Sequence, residues 1–262
     1  MRVDLNCDMG ESFGVWTLGA DEAIMPFITS ANIACGFHAG DARVMERTVR
    51  LAIHHSVAIG AHPGFPDLVG FGRRALDATP DEIESDVLYQ IGALDAFVRS
   101  SGERLTHVKA HGALYNLAAA KPEIANAIAR ALKRFDANLV MVGLAGSAMI
   151  DAAQNLGMRF AREGFCDRAY QSDGKLVSRR EKNSLLSDPE LAAKQALQIV
   201  LEQAITTISG EKIPFVVDTL CIHGDAPTAP AIARAVREAL EKNAVMVAPL
   251  EDPAGFLRLP KP

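Results

Sequence analysis

One tryptophan and three tyrosines stand among 262 residues, and no apolar stretch reaches the roughly 18–20 residues that a bilayer-spanning helix needs. A helical membrane protein is therefore not expected. Cys7, Cys35, Cys166 and Cys221 have no C-x-x-C spacing, which argues against a zinc ribbon or a dithiol redox pair and reads as four reduced thiols. There is no basic block, and the net charge is −5, so nucleic acid is not an expected partner. The pattern G-x-x-x-x-G-K-[ST] is absent, which excludes a conventional P-loop, and so is H-E-x-x-H. No serine is expected to act from a nucleophile elbow. The opening residues MRVDLNCD read as a strand with no charged leader or apolar h-region, so no export signal is expected and the cytoplasm is the expected location.

What the chain does contain is a strand–helix alternation. Strands are expected at 2–7, 31–35, 57–62, 105–111, 138–142, 158–163 and 215–223, and 244–248 reads as an eighth strand or a closing segment. Helix signals fall between them. Thr79-Pro80-Asp81-Glu82 is a capping box with proline at the first helical position, and Ser187-Asp188-Pro189-Glu190 repeats the device before the run 191–205. Asp41 opens a helix whose Val44, Thr48, Leu51 and Ala52 share a face, and further helices are expected at 122–135, 146–156 and 228–242. Alternation implies a parallel sheet, and so many units in this length favour closure into one β/α barrel domain over residues 1–262. Two polar connections, 63–78 and 164–187, are long enough to be functional loops.

Five of the seven histidines sit at or near the downstream ends of these strands, where a β/α barrel builds its active site. Alternation along a strand puts Asp4, Asn6 and Asp8 on one side, and likewise His107, Lys109 and His111. With apolar neighbours turned to the helices, these polar sets face the barrel axis, which suggests an open, wet cavity at the mouth. Imidazole and carboxylate together suit a divalent metal, and Asp8, His38 and His62 are one candidate trio; His62, His111 and His223 are another. Lys109 reads as a base if other cations surround it, as a charge clamp if carboxylates do, or as the partner of Asp4 or Glu163 in an ion pair. Arg73, Arg74, Arg168 and Lys175 can hold carboxylate or phosphate, although a solvated loop cation is the ordinary role of each. His54 and His55, at a helix end, are expected to do no chemistry.

The segments DLNCDMGESFG, SANIACGFHAGD, GAHPGFPD, HVKAHGALYN, EGFCDRAY and the HGD of His223–Asp225 occur in an order that resembles the LamB/YcsF family, from residue 4 to about 250. The resemblance implies a distorted, seven-stranded β/α barrel similar to the glycoside hydrolase/deacetylase superfamily. It implies the A component of a multi-subunit 5-oxoprolinase, which cleaves 5-oxo-L-proline to L-glutamate and uses ATP with magnesium. Subunits B and C, similar to biotin-independent carboxyltransferase-like proteins, would be the partners. On this basis Asp8, His62, Lys109, His111, Glu163 and His223 are the expected catalytic residues, and Asn6, Asn32, Arg73 and Arg74 the expected substrate contacts. Asp8 or His62 would be base or metal ligand, Lys109 and His111 would stabilise an oxyanion, and Arg73 or Arg74 would hold the substrate carboxylate. The rival readings are a stand-alone metal-dependent deacetylase or amidohydrolase and a non-catalytic regulator of lactam use.

Overall fold

The computed structural model describes residues 1–250. Along the chain run β1 (Arg2–Met9), α1 (Asp21–Ile24), β2 (Ser30–Ala34), α2 (Ala42–His54), β3 (Ala58–His62), α3 (Pro80–Ser100), β4 (His107–Lys109), α4 (Gly112–Ala120), α5 (Pro122–Phe135), β5 (Val140–Leu144), α6 (Ala148–Asn155) and β6 (Arg159–Phe165). Then come α7 (Pro189–Glu202), the short pair β7 (Ala204–Thr206) and β8 (Lys212–Pro214), β9 (Thr219–Ile222), α8 (Ala229–Lys242) and β10 (Met246–Val247). Strands β1 to β6 pair in order, β9 joins β6, and β9 also pairs with β1, so seven parallel strands close into a barrel. The expected closing segment at 244–248 is real but lies outside the ring: β10 pairs only with Arg2 and Val3 at the start of β1.

Local signals explain the helices. The Thr79 capping box is formed in both directions, and the Asp41 and Asp188 carboxylates accept from the first N–H groups of α2 and α7. One expectation fails: the run after Pro189 does not stay helical to 205. Gln203 adopts φ 49°, ψ 42°, a left-handed C-cap, and Ala204–Thr206 turns back as a strand against Lys212–Pro214. The β-branched Ile205 and Thr206 suit that pleat better than a further helical turn. The outward faces of the strands (Leu5, Cys7, Met9, Ile33) and the inward stripes of the helices (Val44, Val49, Ile91, Leu94, Ile128, Val236) form the main apolar core. All four cysteines are free and buried, and burial pushes the Cys35 thiol up to about 12.

The lumen is packed with polar side chains, and Gly60 is what lets them fit. Asp8, Asn32, Gly60 and His107 stand in one row of the barrel, each paired with the next. A Cβ on Gly60 would lie 2.1 Å from His107 Nε2. Gly60→Ala is therefore expected to evict the His107 ring and destabilise the fold by about 3 kcal/mol or more, the upper end of overpacking costs. Urea denaturation measures this, and wild-type stability in that variant would contradict the packing described.

Candidate active site

Below the mouth the inward polar groups satisfy one another. Asp4 accepts from Thr29, from Ser30 Oγ at 2.6 Å and from Thr219 Oγ1 at 2.5 Å. Asn6 Nδ2 donates to Thr219 Oγ1 at 2.7 Å and to Glu163 Oε1 at 3.0 Å. Asn32 Nδ2 donates to Asn6 Oδ1 and Asp8 Oδ1, and its own Oδ1 lies 2.9 Å from His107 Nε2. The lower lumen is thus a closed hydrogen-bond network, and the cavity expected at the mouth opens only above it. Asn6 and Asn32, expected as substrate contacts, are 1% and 0% exposed within the network and bonded to neighbouring side chains.

His107 shows what such burial does to stability. Its Nε2–H faces Asn32, its Nδ1 faces the Thr106 hydroxyl at 2.8 Å, and burial with the nearby Lys109 charge depresses its pKa to about 3. The unfolded chain protonates this ring near 6.5, so stability falls as pH drops from about 6.5 towards 3. At pH 5 the loss from this residue is expected to be about 2 kcal/mol. Denaturation curves of wild type and His107→Gln at pH 7 and pH 5 test it: the variant should lack this increment, and parallel pH dependence in the two proteins would refute the assignment.

Lys109 is the hub of the upper layer. Its ammonium lies 2.9 Å from Asp8 Oδ1, 2.9 Å from Glu163 Oε1 and 3.0 Å from Cys221 Sγ, with the Phe165 ring 5.3 Å away. Burial alone would lower its pKa, but Asp8, Cys221 and Glu163 hold it well above the usual lysine range. Lys109 is thus a fixed cation, not a base, and its carboxylate partners are Asp8 and Glu163 rather than Asp4. Burial would raise the Asp8 carboxyl, yet the His62 ring and Lys109 keep it well below the usual carboxylate range. Glu163 is fully buried, accepts from Tyr115 at 2.7 Å, and sits beneath Lys109. Glu163, expected as a catalytic residue, thus lies outside the described cavity lining and against Lys109.

A second cluster closes one side of the mouth. Glu11, His38, His62 and His111 each offer a ligand atom, all within 4.8 Å of one another. His62 Nδ1 lies 2.8 Å from the Lys109 carbonyl and His111 Nε2 lies 2.9 Å from the Phe71 carbonyl, so both donate outward. Their remaining nitrogens, His62 Nε2 and His111 Nδ1, then face each other at 3.0 Å with a lone pair each. Neutral rings tolerate that contact only with a proton or a metal cation to share. Outer nitrogens tied to backbone carbonyls are also how metal-binding histidines are oriented. Burial and the neighbouring rings push His38 and His111 well below the usual imidazole range, towards the neutral form that ligates. His38 Nδ1 is buried without a partner, and its ring stacks on His111 at 3.7 Å. The residues fit a divalent ion. Of the expected trio, His38 and His62 belong to this group, and Asp8 Oδ2 lies 3.4 Å from His62 Nε2; Asp8 also groups with Cys221 and His223, so His223 of the alternative trio stands in that second set. Glu11 takes the carboxylate position.

Between these clusters opens a cavity of about 550 Å³ whose described lining includes Asp8, Glu11, His62, Lys109, His111 and His223. His223 is oriented by Asp167, which accepts from His223 Nδ1 at 2.9 Å and from its backbone N–H at 2.9 Å. Burial would raise Asp167, but the His223 charge and hydrogen bonds lower it. An imidazole held by a buried carboxylate is a prepared proton-transfer group. Arg73 pairs with Asp225 at the rim, and Arg74 is turned to Asp67, with Nε 2.8 Å from Oδ2. Both line the cavity, but Arg74 is already neutralised by Asp67.

Strand alternation does not point to Glu11, Asp167 or Tyr115, though each lies inside one of the family motifs. Ser12 needs a correction of another kind. Gly10-Glu11-Ser12-Phe13-Gly14 does have the G-x-S-x-G spacing. The structure nevertheless disposes of it as an elbow: Ser12 Oγ bonds the Leu18 N–H and carbonyl, and a Phe13–Trp16 turn follows instead of a helix.

A closed parallel barrel with titratable groups converging at the strand C-termini defines a β/α-barrel protein with an enzyme-type site. The LamB/YcsF family model matches residues 3–255, and the chain belongs to that family. It is 52% identical over 245 residues to the A component of 5-oxoprolinase from Bordetella parapertussis, covering 94% of this chain and 97% of that protein. It is 54% identical to the corresponding 5-oxoprolinase component of Symbiobacterium thermophilum, covering 94% of each. The crystal structure of a lactam utilization protein from Thermus thermophilus superposes with a TM-score of 0.91 at 50% identity, covering 95% of this chain and 100% of that one. Among the described residues no helix is long and apolar enough to cross a membrane.

Proposed function

We propose that this chain, as one barrel domain, is the A component of a multi-subunit 5-oxoprolinase that opens 5-oxo-L-proline to L-glutamate at the expense of ATP. The observation that carries this is the identity of about half over nearly the whole length with proteins of that name. The cavity has room for the substrate and is lined by both titratable groups and cations. Subunits B and C would complete the enzyme in the cytoplasm, where ATP is available. With no P-loop in this sequence, the nucleotide and its magnesium would occupy an unfamiliar pocket of this chain or be bound by those partners.

A lactam carbonyl is a poor electrophile. Transfer of the terminal phosphoryl group of ATP to the ring oxygen releases ADP and activates the carbon. One water adds to that carbon, the ring C–N bond breaks, and the nitrogen takes a proton. The acyl phosphate that remains reacts with a second water to give glutamate and phosphate. Asp8, anionic and facing the cavity, accepts the proton from water; His223, steadied by Asp167, delivers a proton to the departing nitrogen. Lys109 holds Asp8 in place and contributes fixed positive charge near the reacting carbon. Arg73, at the rim beside Asp225, would receive the substrate carboxylate.

Glu11, His38, His62 and His111 would hold a divalent ion, which would supply a Lewis acid and a more acidic water. Zinc or manganese is expected to bind the purified chain at about one ion per chain and raise its melting temperature. Glu11→Gln combined with His38→Ala should remove both effects; unchanged binding in that variant would move the ion elsewhere. The function itself is tested by assembling the three subunits and measuring ATP-dependent glutamate formation with each omitted in turn. Glutamate production without this chain would end the proposal, as would robust sugar deacetylation by this chain alone without ATP.

A further inference from the structure

We propose that Arg168 and Arg179 form a subsite for a phosphoryl group, so that this chain receives its lactam already phosphorylated. The inference rests on the 5-oxoprolinase reading for the identity of the lactam, but the subsite itself rests on geometry.

The sequence reads Arg168 as able to hold carboxylate or phosphate, with a solvated loop cation as its ordinary role. The structure buries it to 5% exposure in the wall of the cavity. One Nη2 contact, to the Val177 carbonyl at 2.6 Å, holds the guanidinium, and its Nε is buried without a partner. A buried, unsatisfied donor on a cation is costly unless a ligand completes it. Arg179 lies in the same wall, close enough that its like charge, after burial, helps depress Arg168 to about 10. An anion between them relieves both penalties.

Nearby carboxylates are already engaged. Asp167 accepts from the His223 ring and backbone, and Asp225 is shared between Arg73 and Arg179. Of the six cationic side chains in the described lining, Arg74 is paired with Asp67 and Lys109 with Asp8 and Glu163, which leaves Arg73, Arg168, Arg179 and Arg180 against Glu11 and Asp225. Such a surplus in a chain of net charge −5 is local and directed. A lactam acid brings a single negative charge, which Arg73 alone can meet. A phosphoryl group adds a charge of about −1.5 to −2 and three acceptor oxygens, which matches a pair of guanidiniums. The loop that carries them is built to hold shape: Arg168 bridges Leu185 and Tyr170 bridges Leu176. The Tyr170 hydroxyl accepts from the Phe165 N–H at 2.6 Å. The same pocket therefore presents Asp8 and His223 together with cations suited to a phosphoryl group. A phosphoryl-transfer reaction in the partner subunits would supply the substrate.

Calorimetric titration of the full-length chain with inorganic phosphate tests this, with acetate as the carboxylate control and magnesium-ATP as the nucleotide arm. Phosphate should bind where acetate at equal concentration does not. Arg168→Met should weaken it by roughly tenfold to a hundredfold, the range for losing charge-assisted hydrogen bonds. Arg179→Gln, at a partly exposed position, should weaken it about tenfold, and it serves if the buried substitution fails to fold. Lys175→Ala, an exposed loop cation paired with Asp173, should bind as wild type does. Absence of phosphate binding to wild type, or binding indifferent to both arginine substitutions, overturns the subsite. Magnesium-ATP binding lost in the same two variants would overturn delivery of a phosphorylated lactam and make the subsite one for the nucleotide. Glutamate formation measured separately in the assembled complex tells the two ideas apart. Full turnover with Arg168→Met sinks the subsite alone, whereas arginine-dependent phosphate binding without any glutamate formation sinks the oxoprolinase reading alone.

Discussion

Lys109→Met is expected to destabilise the fold by about 3–5 kcal/mol, because it leaves two buried carboxylates without their cation. Asp8 and Glu163 both lie 2.9 Å from the ammonium, and both are almost fully removed from solvent. Methionine fills the volume but offers no charge, so each carboxylate must either stay ionised in a poor medium or take up a proton. Activity of the assembled enzyme should fall at least about a hundredfold, as for loss of a preorganised charge near developing negative charge. Stability and activity separate in the double variant Lys109→Met/Glu163→Gln. Removing one orphaned charge should recover part of the stability, while turnover stays lost. Urea denaturation and glutamate formation are the two measurements. A Lys109→Met protein as stable as wild type would mean that the ion-pair hub is not what the geometry indicates.

Asp8→Asn is expected to lower turnover by about 10²–10⁴ while leaving the fold nearly intact. Asparagine keeps the shape and can still accept from Asn32 and Lys109, and Glu163 continues to neutralise the ammonium. What disappears is the charge and the ability to take a proton from water. The effect should fall on kcat more than on KM, since the proposed binding groups, Arg73 and the loop arginines, are untouched. The pH dependence carries a second check. Asp8 is held well below the usual carboxylate range, so it remains ionised across ordinary assay pH. An acidic limb in the wild-type rate profile must then come from another group, with the Asp167-held His223 the first to examine by His223→Gln. An Asp8→Asn enzyme with full turnover would give the base role to His62 or His223.

These residues also show how far a sequence carries. The inward sets Asp4-Asn6-Asp8 and His107-Lys109 follow from strand alternation, and the structure places them in one lumen. The capping residues Thr79, Asp41 and Asp188 were equally readable, since a cap is a contact between near neighbours in the chain. Glu11 and Asp167 were not, because the sequence does not disclose the chain bend that brings Glu11 to His38 at 3.3 Å or Asp167 to His223. Asn6 and Asn32 look like ligands for a substrate until the neighbouring strands supply every partner they need. Arg168 is the converse case: its loop position suggests solvent, and only the folding of 164–187 over the mouth buries it.

By itself the sequence determined the strand–helix repeat, the side of each strand that carries polar groups, and the family. These depend on periodicity, local capping and motif order, all of which are short-range properties of the chain. Tertiary structure decided which polar groups neutralise each other, which face the cavity and which donors remain unpaired. Those outcomes depend on distances of a few ångströms between residues up to 215 positions apart, as from Asp4 to Thr219, and on how much water each group loses. Hydrogen bonding and desolvation change steeply over such distances, so the roles emerge only when the barrel closes.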